Sequence, residues 1–242
     1  MRGPLGLVGS GEFLQVMTEV DRHLLEGRPR RAVFLPTAAG QEGDERVDYW
    51  LDLGRRHYER LGVEAVPLRV LDRSDAEREE LAAEIAGAGL VYLSGGSPAY
   101  LADTLRDTAV WRAILDAHEA GAALAGCSAG ACALTRVAGG FRERSTAARP
   151  GLAVVAHLAV IPHFDRFDGR DPGLAAQFAG RVPPGVGIVG VDEETALVGG
   201  PEHYTVMGRR SAWWLRRDGS RSEWKSGSSV FLPVGCEPVI EA

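Results

Sequence analysis

The chain has 242 residues, 45% of them hydrophobic and 25% charged, and this balance excludes a disordered or fibrous protein. The formal net charge of −6 at pH 7 gives no general reason to bind nucleic acid or an anionic membrane. No apolar run reaches the ~18–20 residues that a membrane span requires. We therefore expect a globular protein with a single α/β domain over residues 1–242.

The cysteines and the N-terminal residues point to a reduced compartment. Cys127, Cys132 and Cys236 form no CxxC pair and no disulfide framework. The first residues, MRGPLGLVGSGEF, lack the apolar region of a signal peptide, so we expect a cytoplasmic protein. The sequence contains no HxxxH, HxH or Cys/His cluster, and we expect neither a metal nor another cofactor.

Along the first 126 residues, short apolar strands alternate with helices. The predicted strands cover residues 5–9, 32–36, 63–68, 90–93 and 122–125. The predicted helices cover residues 11–27, 45–61, 75–86 and 98–120, with Ser74 and Glu77 forming a capping box for the third. Continuous apolar runs separated by helices predict a mostly parallel, doubly wound sheet with helices on both faces.

After about residue 137 the pattern loosens. Residues 153–161 are predicted as one or two strands, and residues 171–181 as a short helix. Further strands are predicted at 185–191, 196–198, 204–207 and 213–215, partly antiparallel. Glycine-rich strand ends at residues 9–11, 95–96 and 126–130 should gather along one edge of the sheet, where such folds bind their ligands.

Residues 126–130, Gly-Cys-Ser-Ala-Gly, match G-x-S-x-G between an apolar strand and an apolar helix. A sharp turn there would strain Ser128 and present its hydroxyl above the sheet, which predicts a nucleophile. The amide of Ala129 lies at a helix N-terminus and can stabilise an oxyanion. Cys127 and Cys132 are expected to be small packing residues.

His163 is the candidate general base. It follows an apolar run and Pro162, where a strand ends, so it can reach a serine above the same sheet. Three other histidines lie on predicted helices beside charged residues and are expected to face solvent: His23, His57 and His118.

A triad also needs a carboxylate that holds the imidazole tautomer. The candidates are Glu143, Asp165 and the acidic cluster Asp192-Glu193-Glu194, which follows the apolar run 186–191. Because strand side chains alternate, only one of Asp192 and Glu193 can point at His163.

Taken together, these segments resemble the aspartyl dipeptidase (peptidase E) and cyanophycinase family of serine peptidases. The matching segments are GSGE at 9–12, GGSP at 95–98, GCSAGA at 126–131, PHF at 162–164 and GVDEETA at 190–196. They span nearly the whole chain in the family's order. The resemblance implies a class I glutamine amidotransferase-like fold, with serine in place of the amidotransferase cysteine.

The resemblance implies that Ser128 is the nucleophile, that His163 is the base, and that the amides of Gly96 and Ala129 form the oxyanion hole. It places the acid in the segment 192–196.

Glu193 fits the acid of the family best. Asp192 is the second choice, and Glu143 is a weaker one.

The implied activity is cleavage of a short, dipeptide-like peptide, with Asp-X among the candidate substrates. Ile161 and Pro162 replace the Asp-Gln of cyanophycinases, which argues against cyanophycinase activity. Aspartyl dipeptidases hold the substrate aspartate with an arginine after the histidine, and three candidates follow His163: Arg166, Arg170 and Arg181. Glu12 could pair with a substrate amine, although we favour a glutamate in the first turn of a helix.

Two alternatives remain open. An α/β-hydrolase esterase orders its triad Ser, acid, His, which Ser128, Asp192 and His203 would satisfy. The second alternative is a non-catalytic amidotransferase-like binding protein, in which the serine turn has a structural role only.

Three of the five tryptophans lie near the C-terminus of the chain. We favour strand packing for these residues, with an aromatic homodimer surface as the alternative. They are Trp213, Trp214 and Trp224.

Overall fold

The computed structural model describes residues 1–139, 149–168, 172–235 and 237–241. Its strands, in chain order, are β1 (Leu5–Val8), β2 (Arg31–Leu35), β3 (Glu64–Pro67), β4 (Leu90–Leu93), β5 (Ala123–Cys127), β6 (Leu158–Ile161), β7 (Gly187–Val191), β8 (Thr195–Gly199), β9 (His203–Gly208), β10 (Ser211–Leu215), β11 (Arg221–Lys225), β12 (Ser229–Phe231) and β13 (Val239–Glu241).

The helices are α1 (Thr18–Leu24), α2 (Asp44–Arg60), α3 (Arg73–Ala76), α4 (Glu79–Ala83), α5 (Pro98–Leu105), α6 (Ala109–Glu119), α7 (Ala129–Leu134), α8 (Phe164–Asp168) and α9 (Pro172–Arg181). Two 3₁₀ turns, Gln15–Met17 and Thr37–Ala39, follow the first two strands. Among the described residues, no helix has both the length and the apolar character needed to cross a membrane.

A nine-stranded sheet forms the body of the fold, in the order β13-β12-β9-β8-β1-β5-β4-β2-β3. The five strands from β1 to β3 in this order are parallel, and β8, β9, β12 and β13 add antiparallel pairs. This arrangement confirms the predicted fold class, with its antiparallel strands in the C-terminal third.

Helices cover both faces of this sheet, because side chains alternate along each strand. In β2, Val33 and Leu35 belong to one apolar cluster, which α5 and α6 complete. Ala32 and Phe34 belong to the cluster on the other face, where α1 and α2 pack.

A second sheet of four strands, in the order β11-β10-β7-β6, stands beside the first. Its strands β6 and β7 are parallel, with Ile161 opposite Gly190. The chain passes from β7 directly into β8 of the first sheet through residues 192–194. The sequence predicts several of these strands but not their separation into a second sheet, because periodicity carries no pairing information.

Three predicted helices differ from the structure. Residues 11–14 lie outside any helix, since Phe13 has a φ of 64°. The predicted helix at 75–86 is divided into α3 and α4, and Asp72, not Ser74, caps it by accepting a hydrogen bond from the Asp75 amide. The predicted helix at 98–120 is interrupted at Asp107, whose φ is 61°.

The solvent-facing prediction is wrong for His57 and His118, which are 1% and 5% exposed. His57 Nε2 lies 2.7 Å from Asp21 Oδ2, and both side chains are buried between α1 and α2. Burial raises the pKa of Asp21, and the hydrogen bond and charge of His57 counteract this. The pairing links residues 36 positions apart, which no local pattern could reveal.

We expect His57→Leu to lower the free energy of unfolding by about 3–5 kcal/mol, because it leaves the Asp21 carboxyl buried without its partner. Chemical denaturation at pH 7 measures this loss. His23→Leu is the control, since the His23 side chain is 50% exposed, and its effect should stay within about 0.5 kcal/mol. Equal losses in the two variants would contradict a stabilising buried pair.

Candidate active site

Ser128 occupies a strained turn between β5 and α7, with φ 51° and ψ −105°. Gly126 and Gly130 flank this turn, where neighbouring backbone atoms leave no room for a side chain. A Cβ on Gly126 would lie 2.3 Å from the carbonyl carbon of Gly130, and a Cβ on Gly130 would lie 2.2 Å from Leu93 O. The turn thus presents Ser128 at the carboxyl edge of the parallel strands, as the G-x-S-x-G pattern predicts.

The structure brings His163 to the serine. His163 follows β6 with a φ of 50°, and its Nε2 lies 2.9 Å from Ser128 Oγ. With the ring proton on Nδ1, Nε2 accepts the hydrogen bond from the serine hydroxyl. His163 is half-buried and in edge contact with the ring of Phe167. The histidine thus comes from the second sheet and the serine from the first.

Glu193 lies on the other side of the imidazole. His163 Nδ1 is 3.1 Å from Glu193 Oε1, and Arg166 Nε donates to Glu193 Oε2 at 2.9 Å. Asp165 Oδ1 accepts a hydrogen bond from the Glu193 amide at 2.9 Å, which fixes the backbone of the acid. Burial raises the pKa of Glu193, but His163 and Arg166 together outweigh burial and hold it below its usual value. The carboxylate therefore stays ionised at neutral pH.

Asp192, the second choice for the acid, points into different surroundings. Its Oδ2 accepts from the Ser211 amide at 3.2 Å, and its Oδ1 accepts from Trp213 Nε1 at 3.0 Å. Burial raises the pKa of Asp192 to about 6. Both oxygens are occupied within the second sheet, and no hydrogen bond joins Asp192 to His163 in the described part of the chain. Glu143, the weaker choice, lies outside the described residues, as do Arg170 and Cys236.

Gly96 and Ala129 are the two residues whose amides the sequence proposes for an oxyanion hole. Gly96 belongs to the turn after β4, and Ala129 is the first residue of α7. Both residues line the same cleft as Ser128. Neither amide donates a hydrogen bond to another described residue, so both are free to meet a ligand oxygen.

The cleft in front of these groups has a volume of about 690 Å³. His163 and Phe167 line one part of it, and residues at the start of α2 contribute Arg46 and Trp50. The Arg46 guanidinium lies 4.8 Å from the centre of the Trp50 ring and 3.4 Å from Glu42, which also lines the cleft. Sequence reasoning missed this group. The segment follows β2, so the rule that strand ends gather at one edge could have found it.

The substrate arginines proposed from sequence do not line the cleft in the described chain. Arg166 pairs with Glu193, and Arg181 ends α9 without being among the lining residues. Among the described residues, Arg46 is the arginine that lines the cleft.

The favoured interpretation of Glu12 is wrong, because this residue precedes the first helix. Its side chain is buried at the inner end of the cleft. Glu12 Oε1 accepts from the Gly95 amide at 3.0 Å, and Oε2 accepts from Cys127 Sγ at 2.8 Å. Cys127 and Cys132 are both buried free thiols, as expected for packing residues.

The esterase alternative requires His203 near Ser128, and the register excludes this. Leu124 of β5 pairs with Leu5, Leu5 with Gly199, and Gly199 with Tyr204. His203 precedes Tyr204 and therefore lies at the amino edge of the sheet, whereas Ser128 lies at the carboxyl edge. Five residues of extended strand separate these two levels by ~16 Å.

The described residues contain no group of three or more His, Cys, Asp or Glu side chains that could hold a metal ion.

Comparison with known proteins gives the class of the chain. A family model described as peptidase family S51 matches residues 5–206. The crystal structure of a peptidase from an acI-B1 Actinobacterium is similar with a TM-score of 0.87 and 38% identity, over 96% of this chain and 98% of that one. A candidate peptidase E protein from Listeria monocytogenes EGD-e shares the fold, with a TM-score of 0.63 and 19% identity over 86% of this chain and 100% of that one.

An uncharacterized peptidase from Listeria innocua serovar 6a is 28% identical over 120 residues, 50% of this chain and 53% of that protein. This alignment covers about half the length of the curated relative. The fold and the matching family model define a serine-type peptidase. The chain belongs to peptidase family S51, which confirms the resemblance found in the sequence.

We expect Gly130→Ala to destabilise the protein by at least ~2–3 kcal/mol, because its Cβ would meet Leu93 O at 2.2 Å. Gly180→Ala is the matched control, since nothing lies within 4 Å of a Cβ there and the residue is in α9. Helix propensity should make that control more stable by up to ~1 kcal/mol. Thermal unfolding of both variants measures the contrast, and a Gly130 variant as stable as wild type would contradict the close packing.

Proposed function

We propose that the protein hydrolyses short peptides through a triad of Ser128, His163 and Glu193. The observation that carries this proposal is the continuous chain of contacts from Ser128 Oγ to His163 Nε2, at 2.9 Å, and from His163 Nδ1 to Glu193 Oε1, at 3.1 Å. A nucleophile, a base within hydrogen-bond reach and a group that orients the base are the parts that acyl transfer needs. The first sheet supplies Ser128, and the second sheet supplies His163 and Glu193. We therefore propose that the two sheets form one domain.

In the acylation step, Ser128 Oγ attacks the peptide carbonyl carbon while His163 Nε2 takes the hydroxyl proton. The carbonyl oxygen becomes an oxyanion that accepts from the amides of Gly96 and Ala129. His163 then gives its proton to the leaving amine, and the C–N bond breaks. In deacylation, water attacks the acyl carbon while His163 Nε2 takes a proton from it, again with the oxyanion held by the two amides. The bond from the acyl carbon to Ser128 Oγ then breaks, His163 returns the proton to Oγ, and the carboxylic acid product leaves.

Glu193 stabilises the imidazolium that forms in each step. Its pKa, held low by His163 and Arg166, keeps it charged while His163 carries the proton. Arg166 also fixes the second carboxylate oxygen, so that Oε1 stays directed at Nδ1. The arginine therefore supports the acid in this proposal and is not assigned to the substrate.

The cleft supports a small substrate. Its volume of about 690 Å³ lies within the range of small-ligand sites, ~300–1,000 Å³. The Arg46 guanidinium, which is paired with Glu42, lies on the wall formed by α2 and offers N–H donors that suit a carboxylate on the substrate. A dipeptide carries such a group at its C-terminus, and an Asp-X dipeptide carries a second one on its side chain. We therefore propose dipeptides as substrates and include Asp-X among them.

We expect a fluorophosphonate probe to label Ser128, located by mass spectrometry, and a dipeptide panel led by Asp-X to be hydrolysed. Ser128→Ala should abolish the labelling and lower turnover by ~10⁴-fold or more, because triad members act as a unit. Labelling at another residue, or turnover that survives in the alanine variant, would overturn the assignment.

The choice of acid has its own test. We expect Glu193→Gln to lower kcat by ~10²–10⁴-fold, because an amide neither stabilises the imidazolium nor selects the tautomer. Asp192→Asn should change kcat/KM by less than ~10-fold, since Asp192 bonds Ser211 and Trp213 instead of His163. Steady-state kinetics on the same peptide compare the two. A larger loss in the Asp192 variant would reassign the acid.

A further inference from the structure

The buried carboxylate of Glu12 is not used by the proposed triad, yet it lies beside the nucleophile. The side chain is 6% exposed. The point where a Cβ on Gly95 would stand is 3.0 Å from Glu12 Oε1 and 3.6 Å from Ser128 Cβ. Burying a charged side chain costs free energy unless its polar atoms are hydrogen-bonded. A buried polar group whose hydrogen bonds are all made holds the segments that it contacts in one arrangement.

Each carboxylate oxygen of Glu12 binds a different strand end. Oε1 accepts from the amide of Gly95, the residue before Gly96. Oε2 accepts from the thiol of Cys127, the residue before Ser128. Burial and the neighbouring Glu12 charge raise the pKa of Cys127 well above its usual value, so the thiol keeps its proton and can donate.

Among the described residues, no backbone hydrogen bond joins residues 94–97 to residues 127–129, although Tyr92 within β4 also hydrogen-bonds the Cys127 thiol. The pairing of β4 with β5 stops at Leu93 opposite Gly126. Beyond it, the Ser94 amide donates to Leu35 O at the end of β2, and the Ser97 amide donates to Ala38 O in the 3₁₀ turn that follows.

The serine turn is held elsewhere, through the Ser128 amide to Val8 O of β1. Within the described chain, Glu12 is the hydrogen-bonding group that joins residues 94–97 to residues 127–129.

We propose that Glu12 is a positioning residue that holds the Gly96 and Ala129 amides at the spacing an oxyanion requires. This inference rests on the proposed function, because it assumes that these two amides form the oxyanion hole. An amide donor contributes to the transition state only when it lies within ~2.7–3.1 Å of the developing charge. The carboxylate suits this task because both partners are donors, one to each oxygen.

The closing experiment measures the second-order rate of labelling at Ser128 by a fluorophosphonate probe. Phosphonylation needs the nucleophile and the oxyanion hole, and the probe has no amine that Glu12 could bind. Glu12→Gln keeps one acceptor oxygen but sets its amide NH₂ against one of the two donors, and we expect its labelling rate to fall by ~10–100-fold. Glu19→Gln, an exposed acid-to-amide change on α1, should label at the wild-type rate.

A second pair of variants covers the case in which Glu12→Gln does not fold. Cys127→Ala removes the hydrogen bond to Glu12 Oε2 and should lower the labelling rate. Cys127→Ser keeps a donor at this position and should recover most of the lost rate. Melting temperatures are measured for every variant. In steady-state kinetics on a hydrolysed dipeptide, the slow variants should lose kcat with little change in KM, which a general loss of structure would not produce.

The outcomes separate the two proposals. Wild-type protein that is not labelled at Ser128 would overturn the proposed function and this inference with it. Labelled wild type, together with folded Glu12→Gln that labels equally fast, would overturn the role of Glu12 alone. Loss of turnover on free dipeptides but not on N-acetylated ones would also overturn it, since that pattern indicates recognition of the substrate amine.

Discussion

The site depends on a close backbone contact between the segments that leave the two sheets. Gly9 follows β1, and a Cβ on this residue would lie 2.0 Å from the carbonyl oxygen of Asp192. The Gly9 amide also donates to Thr195 O at 2.9 Å. Any side chain at position 9 would push residues 192–194 away from the edge of the first sheet. Since Glu193 belongs to that turn, this contact sets how far the acid lies from the serine of the neighbouring strand.

Around this contact, each of the two sheets supplies different residues of the proposed site. The parallel strands β4 and β5 present Gly96, Ser128 and Ala129, and the parallel strands β6 and β7 present His163 and Glu193. Because Ile161 lies opposite Gly190, the histidine and the acid leave neighbouring strands at nearly the same level. The chain of contacts from Ser128 through His163 to Glu193 therefore joins residues that follow strands of two different sheets.

The two neighbouring acids show how surroundings set their chemistry. Glu193 faces a cationic arginine and the imidazole, and its pKa lies below the usual value. Asp192 is buried against backbone and indole donors, and its pKa rises to about 6. The Arg210 side chain, 46% exposed, pairs with the Asp165 side chain, 16% exposed, so these ion-paired groups are partly buried. Their main consequence is orientation, because Asp165 in turn holds the Glu193 amide.

The sequence by itself determined the α/β class, the serine turn and the family, because these follow from apolar periodicity and from short motifs whose spacing has a mechanical cause. It also singled out His163, since a histidine at a strand end is visible locally. It could not decide between Asp192 and Glu193, because one residue of register reverses which side chain faces the imidazole. The burial of His57 against Asp21 and the two hydrogen bonds that Glu12 accepts from Gly95 and Cys127 were decided only by the tertiary structure. Each joins segments far apart in the chain, and only packing brings them within the few ångströms at which hydrogen bonds and charges act.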